Sequence, residues 1–203
     1  MAKLNTRIGV FGGTFDPPHV GHQILASEAL EVLELDTILW VLTPDPPHKK
    51  TQEMATLVQR LEMVKAAIYN DDKFSFSEVD INRPAPHYAL DTVNLLHNQH
   101  PNSILCYLMG GDSLVTLPTW HQPNKLVAAC DEIGVMCRPG NEPNLTELEN
   151  ELPGITEKVR FISAPLLEIS SSRIRDRIAQ ERGYRYFLPE KVYKFIESHH
   201  LYR

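Results

Sequence analysis

The stretch GGTFDPPHVGH, Gly12 to His22, gathers three glycines, two prolines and two histidines three residues apart, directly after an apolar run. Glycine lets a ligand approach the backbone closely, and Pro17 and Pro18 stiffen a bend. A helix starting near His19 then offers unpaired N–H groups and the positive end of its dipole to an anion. His19 and His22, at i and i+3, fall on one side of the first turn and can aim imidazole N–H donors at the same ligand. The chemistry such a set supports is phosphate binding. A metal reading lacks a third ligand, and the glycine spacing is not the G-x-G-x-x-G of dinucleotide cofactors.

A second such stretch is ISSSRIR, Ile169 to Arg175. Ser170, Ser171 and Ser172 are good helix N-caps with hydroxyl donors, and Arg175 lies one turn onward, where its guanidinium can fork onto phosphate oxygens. Taken alone, this stretch reads better as a capped surface helix with solvated charges; beside the first motif, the phosphate reading is preferred.

Elements that would hold these residues alternate along the chain. The β-rich runs RIGVFG, TILWVL, FSFSEV, SILCYLMG, EIGVMC and VRFIS are separated by segments of helical period. In the first of these segments Val20, Ile24, Leu30 and Leu33 lie near one stripe. The order predicts a doubly wound α/β fold: a mostly parallel sheet with helices on both faces, its ligand crevice beyond the carboxyl ends of the strands where strand order reverses. NLTELENELPG reads as a short surface helix with no visible chemistry. Two C-terminal helices are expected near ISSSRIRDRIAQ and LPEKVYKFIESHH, with Pro189 at a first helical position. At 203 residues the chain is expected to form one domain, residues 1–203, with the C-terminal helices (about 169–203) packed on it. The terminal HHLYR has no evident function.

A formal net charge of −6 argues against non-specific nucleic-acid binding, so any anion site must be local. No run is long enough to span a membrane and the N-terminus lacks signal-peptide features, so a cytoplasmic location is expected. Cys106, Cys130 and Cys137 match no zinc or disulfide spacing and read as buried free thiols.

GTFDPPHVGH resembles the first motif of the H-x-G-H nucleotidyltransferases, and ISSSRIR resembles their ISSTxIR element at the triphosphate. Three further stretches resemble bacterial nicotinate-nucleotide adenylyltransferases: PDPPHKK their PNxxPPHK loop, APHYALDT their PSYTxxT segment, and MGGDSLVTLPTWHQPNKL their GxDSLxxxPTW region. The resemblance spans the chain and implies a Rossmann-like fold and adenylyl transfer from ATP to nicotinate mononucleotide. Magnesium would arrive on the ATP phosphates, without a protein metal site or a tightly bound organic cofactor.

The resemblance assigns catalytic roles to His19, His22 and Arg175. It assigns ATP and phosphate contacts to Gly12, Gly13, Thr14, Phe15, Gly111, Asp112, Ile169, Ser170, Ser171 and Ser172. Acceptor contacts fall to Thr43, His48, Lys49, Tyr88, Ala89, Trp120 and Arg138. Trp120 offers a flat face to a ring, and the helix start near Ala89 offers main-chain donors to a carboxylate. The chain departs from the family where Thr43 or Pro44 replaces an asparagine and Ala89 a threonine; the departures remove side-chain contacts to the acceptor nucleotide, whereas a carboxylate held by main-chain donors would survive them. Substrate alternatives are nicotinamide mononucleotide and phosphopantetheine, and an alternative of another class is a non-catalytic nucleotide sensor. The oligomeric state is open, a homo-oligomer included.

Overall fold

The structure is a computed structural model that describes residues 5–45, 54–137, 143–163 and 168–203. The six apolar runs form β1 (Thr6–Gly13), β2 (Thr37–Leu42), β3 (Phe74–Ser77), β4 (Ser103–Gly110), β5 (Glu132–Cys137) and β6 (Val159–Ser163). They pair in the order β3-β2-β1-β4-β5-β6, every neighbour parallel. From β1 the chain proceeds outward to β3, and from β4 outward in the opposite direction to β6. The switch point therefore lies between β1 and β4, beyond Gly13 and Gly110.

Helices α1 (Val20–Val32), α2 (Leu57–Ala67), α3 (Ala89–Gln99), α4 (Gly111–Thr116), α5 (Pro123–Ala129), α6 (Leu145–Glu151), α7 (Ile155–Lys158), α8 (Ser171–Ala179) and α9 (Glu190–His199), with short 3-10 turns at Leu117–Thr119 and Arg185–Phe187, complete the described elements. Alternation along β1 sorts its side chains onto two faces. Phe11 joins Trp40, Ala26, Ala29 and Val64 under α1 and α2, whereas Ile8 and Val10 join Leu39, Val41, Leu96 and Leu105 under α3. Burial on both faces explains why the central strands β2, β1, β4 and β5 read as largely apolar runs, whereas the edge strands β3 and β6 carry polar residues. A third cluster joins α8 and α9 to α2 through Ile174, Ile178, Val192 and Ile196 against Met63 and Ala67.

Four expectations need correction. Helix α1 turns Gly21, Ala26 and Ala29 inward, while Val20, Ile24 and Leu30 are only partly buried and Leu33 lies just past its end. Small residues let this helix approach the sheet closely. Pro189 is the N-cap of α9, extended at ψ 142°, so the helix begins one residue later. Helices α5 and α7 were not expected; each is too short to show a period. Finally, the NLTELENELPG segment forms the expected short helix, α6, but is more than a surface element, because Leu148 and Leu152 are buried in the core beside β5 and β6.

Candidate active site

A cavity of about 450 Å³ opens at the switch point, a volume suited to a small nucleotide. Its walls come from four places. Gly12, Gly13 and Thr14 close β1, and Thr43 follows β2. Tyr88 and Ala89 begin α3, and Trp120 and His121 follow the short turn after α4. The rings of Tyr88 and His121 stack at 3.9 Å, nearly parallel, so Trp120, Tyr88 and His121 give this end of the cavity flat apolar surface. Tyr88 caps α3 without a side-chain cap bond. The first N–H groups of α3, at the positive end of its dipole, therefore lie beside the same surface. Below them Asp80 is buried and held by Arg83 Nε (2.9 Å) and by the Thr92 hydroxyl (2.7 Å), which fixes the loop entering α3.

Beyond Thr14 the chain turns into α1. Phe15 adopts a left-handed φ of 47° and drives its ring into the core against Phe11 and Trp40. A Cβ on Gly13 would stand 2.9 Å from that ring, so Gly13 makes room for the protein's own Phe15 rather than for a ligand. Gly12 faces the cavity, where a Cβ would sit 3.4 Å from the Tyr107 hydroxyl.

His19 is the N-cap of α1 and is buried at 6% exposure. Its backbone N–H donates to His22 Nδ1 at 3.0 Å, and the two rings stack with centroids 3.6 Å apart. Because Nδ1 of His22 accepts, the proton of the neutral ring resides on Nε2. Burial pushes the His19 pKa down to about 4, so this ring is neutral at physiological pH; its Nδ1 is buried without a hydrogen-bond partner. That nitrogen faces the first turn of α1 itself, where a Cβ on Gly21 would stand 3.0 Å from it.

The second motif docks on this turn. Ser170 caps α8 by accepting the Arg173 N–H, Ser171 donates its hydroxyl to Pro17 O (2.8 Å), and Ser172 Oγ lies 3.4 Å from Arg175 Nη2. The sequence suggested hydroxyls aimed at a ligand; instead protein partners engage them, and the main-chain N–H groups of Ser171 and Ser172 remain at the helix start. Arg175 Nη1 donates to Asp16 O at 2.6 Å and lies 3.6 Å from Asp16 Oδ2. Ile169 packs in the cluster of α8 and α9, close to Gly21. Gly111 and Asp112 open α4 at the end of β4, outside the cavity, with Asp112 exposed. His48, Lys49 and Arg138 lie outside the described residues.

Several residues at the site were missed. Asp16 is 1% exposed and receives the Tyr202 hydroxyl (2.6 Å) and the Ala55 N–H (3.2 Å). Arg60 is 2% exposed and donates to the carbonyls of Thr14 (3.2 Å), Thr43 (2.9 Å), Pro44 (2.6 Å) and Ala55 (3.2 Å), stapling the loops after β1 and β2 together. Burial lowers its pKa, while Asp16 and Asp45 oppose that shift. Its signal was legible: Arg60 lies on the same helical stripe as the buried Met63, Val64 and Ala67. Tyr107, His87 and His121 also line the cavity.

The comparisons with known proteins agree with this geometry. Residues 10–177 match the cytidylyltransferase-like family. A probable nicotinate-nucleotide adenylyltransferase of Thermomicrobium roseum is 40% identical over 98% of this chain and 92% of its own length. The nicotinate-nucleotide adenylyltransferase of Bacillus subtilis is 37% identical over 97% and 98%. Among solved structures, a Plasmodium falciparum nicotinic acid mononucleotide adenylyltransferase complexed with NaAD superposes with a TM-score of 0.80 at 19% identity, covering 98% of both chains, which shows a shared fold. A six-stranded parallel sheet with its cleft at the switch point, the first sequence motif opening on that cleft with the second docked on its turn into α1, and full-length relatives of one name lead to one assignment: the chain belongs to the nicotinate-nucleotide adenylyltransferase family of cytidylyltransferase-like proteins.

Proposed function

We propose that the protein transfers the adenylyl group of ATP to nicotinate mononucleotide, giving nicotinate adenine dinucleotide and pyrophosphate, a step of NAD synthesis. One observation carries the reading: Gly12, Gly13 and Thr14 line the aromatic cavity and lead without a break into the histidine-bearing start of α1. A ring-bearing nucleotide on one side and a polyphosphate on the other would meet at that loop.

The acceptor's 5′-phosphate has a second pKa of about 6 and is largely deprotonated at neutral pH, so its attack on the α-phosphorus needs no general base. An acceptor oxygen bonds to the α-phosphorus, the bond to the bridging oxygen of the β-phosphate breaks, and pyrophosphate leaves with that electron pair. The protein's task is positioning and stabilisation of charge building on the phosphates. His22 Nε2–H, the neutral His19 ring, the first N–H groups of α1 and Arg175 supply it. Magnesium is carried by ATP and counts as part of that substrate. Among the described residues no group of three or more His, Cys, Asp or Glu side chains could hold a metal.

Trp120, Tyr88 and His121 take the nicotinate ring, and the amino end of α3 takes its carboxylate. Among the described residues no helix is long and apolar enough to cross a membrane. Cys106 and Cys130 are buried thiols outside any disulfide, which fits a reducing compartment. Pyrophosphate release with ATP and each of nicotinate mononucleotide, nicotinamide mononucleotide and phosphopantetheine tests the reading. Turnover should favour the acid mononucleotide; ATP binding without turnover on any acceptor would support a nucleotide sensor instead.

A further inference from the structure

We propose that the C-terminal segment positions the phosphate-binding arginine: the Tyr202 hydroxyl fixes the Asp16 carboxylate, and Asp16 in turn fixes Arg175. This rests on the reading of Arg175 given above. Asp16 is almost wholly buried and is held from three parts of the chain. Tyr202 donates to Oδ1 at 2.6 Å, the Ala55 N–H reaches the same oxygen at 3.2 Å, and Arg175 Nη1 lies 3.6 Å from Oδ2 while donating to the Asp16 carbonyl at 2.6 Å. Oδ2 has no hydrogen bond, so Arg175 is its nearest compensating charge.

Burial and the adjacent carboxylate hold the Tyr202 phenol well above its ordinary pKa, which keeps it a donor. With that donor present, Oδ1 is satisfied and Arg175 needs only its Nη1 edge to serve Asp16. With Nη2 near Ser172, the guanidinium retains N–H groups for phosphate. Without the donor, the buried carboxylate draws the guanidinium inward for compensation, away from the cradle. Asp16 also precedes Pro17, Pro18 and His19, so the same anchor sets how the chain enters α1.

Steady-state kinetics of Tyr202→Phe, alone and combined with Arg175→Ala, test this positioning role. The substitution removes one oxygen and keeps the ring. We expect kcat/KM for ATP to fall roughly tenfold, as for loss of one hydrogen bond to a charged group, with the KM for nicotinate mononucleotide unchanged. Added to Arg175→Ala, the same substitution should cost nothing further, because Tyr202 acts through Arg175. An equal fall in both backgrounds would overturn the inference. So would wild-type ATP kinetics for Tyr202→Phe beside an impaired Arg175→Ala, which leaves the phosphate reading standing. Wild-type ATP kinetics for Arg175→Ala would remove the phosphate reading, and this inference with it.

Discussion

His22 Nδ1 accepts the backbone N–H of His19 at 3.0 Å, and the two imidazoles stack at 3.6 Å. One ring thus caps the helix start that the other occupies, and because Nδ1 accepts, the neutral His22 ring carries its proton on Nε2. Replacing either histidine with alanine should lower turnover by roughly 10² or more, the scale for removing one donor to a developing charge. Measured kcat near wild type for His19→Ala would remove it from the charge-stabilising set. If His22→Ala raises only the KM for ATP, its role is uniform binding.

Burial of neutral His19 couples stability to pH. Its pKa falls from 6.5 to about 4 on folding, so between those values the unfolded chain binds more protons than the folded one. The stabilisation is complete above pH 6.5 and is lost as pH falls towards 4, amounting to about 3 kcal/mol across the window. Denaturant melts of wild type and His19→Ala at pH 7 and pH 4.5 check this. Wild type should lose about 2 kcal/mol more than the variant on acidification; parallel losses would show that His19 titrates normally.

Arg60 anchors four carbonyls from three segments. Arg60→Met retains much of the apolar stem but strands those acceptors, and should destabilise the fold by about 3 kcal/mol, lowering Tm by roughly 10 °C. Activity should fall as well, since the loops carrying Thr14 and Thr43 lose their common tether. A variant that melts like wild type would mean that water replaces the guanidinium.

These anchors mark the boundary of what the sequence discloses. All six strands were legible: the central β2, β1, β4 and β5 as largely apolar runs, and the edge strands β3 (FSFS) and β6 (VRFIS) as short β-rich segments interrupted by polar residues. The cleft's location followed from the alternation of strands and helices, and the Gly12 to His22 loop from its own composition. By contrast, Asp16 meets Arg175 and Tyr202 across separations of 159 and 186 residues, and such pairs leave no local pattern. The inward face of α1 was misread for another reason. Gly21, Ala26 and Ala29 are buried because they are small, and hydrophobic periodicity weights large side chains such as Ile24 and Leu30. His121 and Tyr107 needed the tertiary fold to bring them to one cavity.

The flat surfaces of Trp120 and of the Tyr88 and His121 pair should bind the acceptor's ring. Trp120→Ala is expected to raise the KM for the mononucleotide roughly tenfold, from loss of about 1.4 kcal/mol of ring contact, and to leave the KM for ATP within about twofold. The reverse pattern, with ATP affected and the mononucleotide not, would assign Trp120 to the adenosine side.

The most direct test of the phosphate cradle is a crystal structure with a non-hydrolysable ATP analogue. Phosphate oxygens should lie about 3 Å from His22 Nε2 and from an Arg175 guanidinium nitrogen, above the first turn of α1. A polyphosphate bound elsewhere, with that turn empty and both imidazoles facing away from it, would contradict the account.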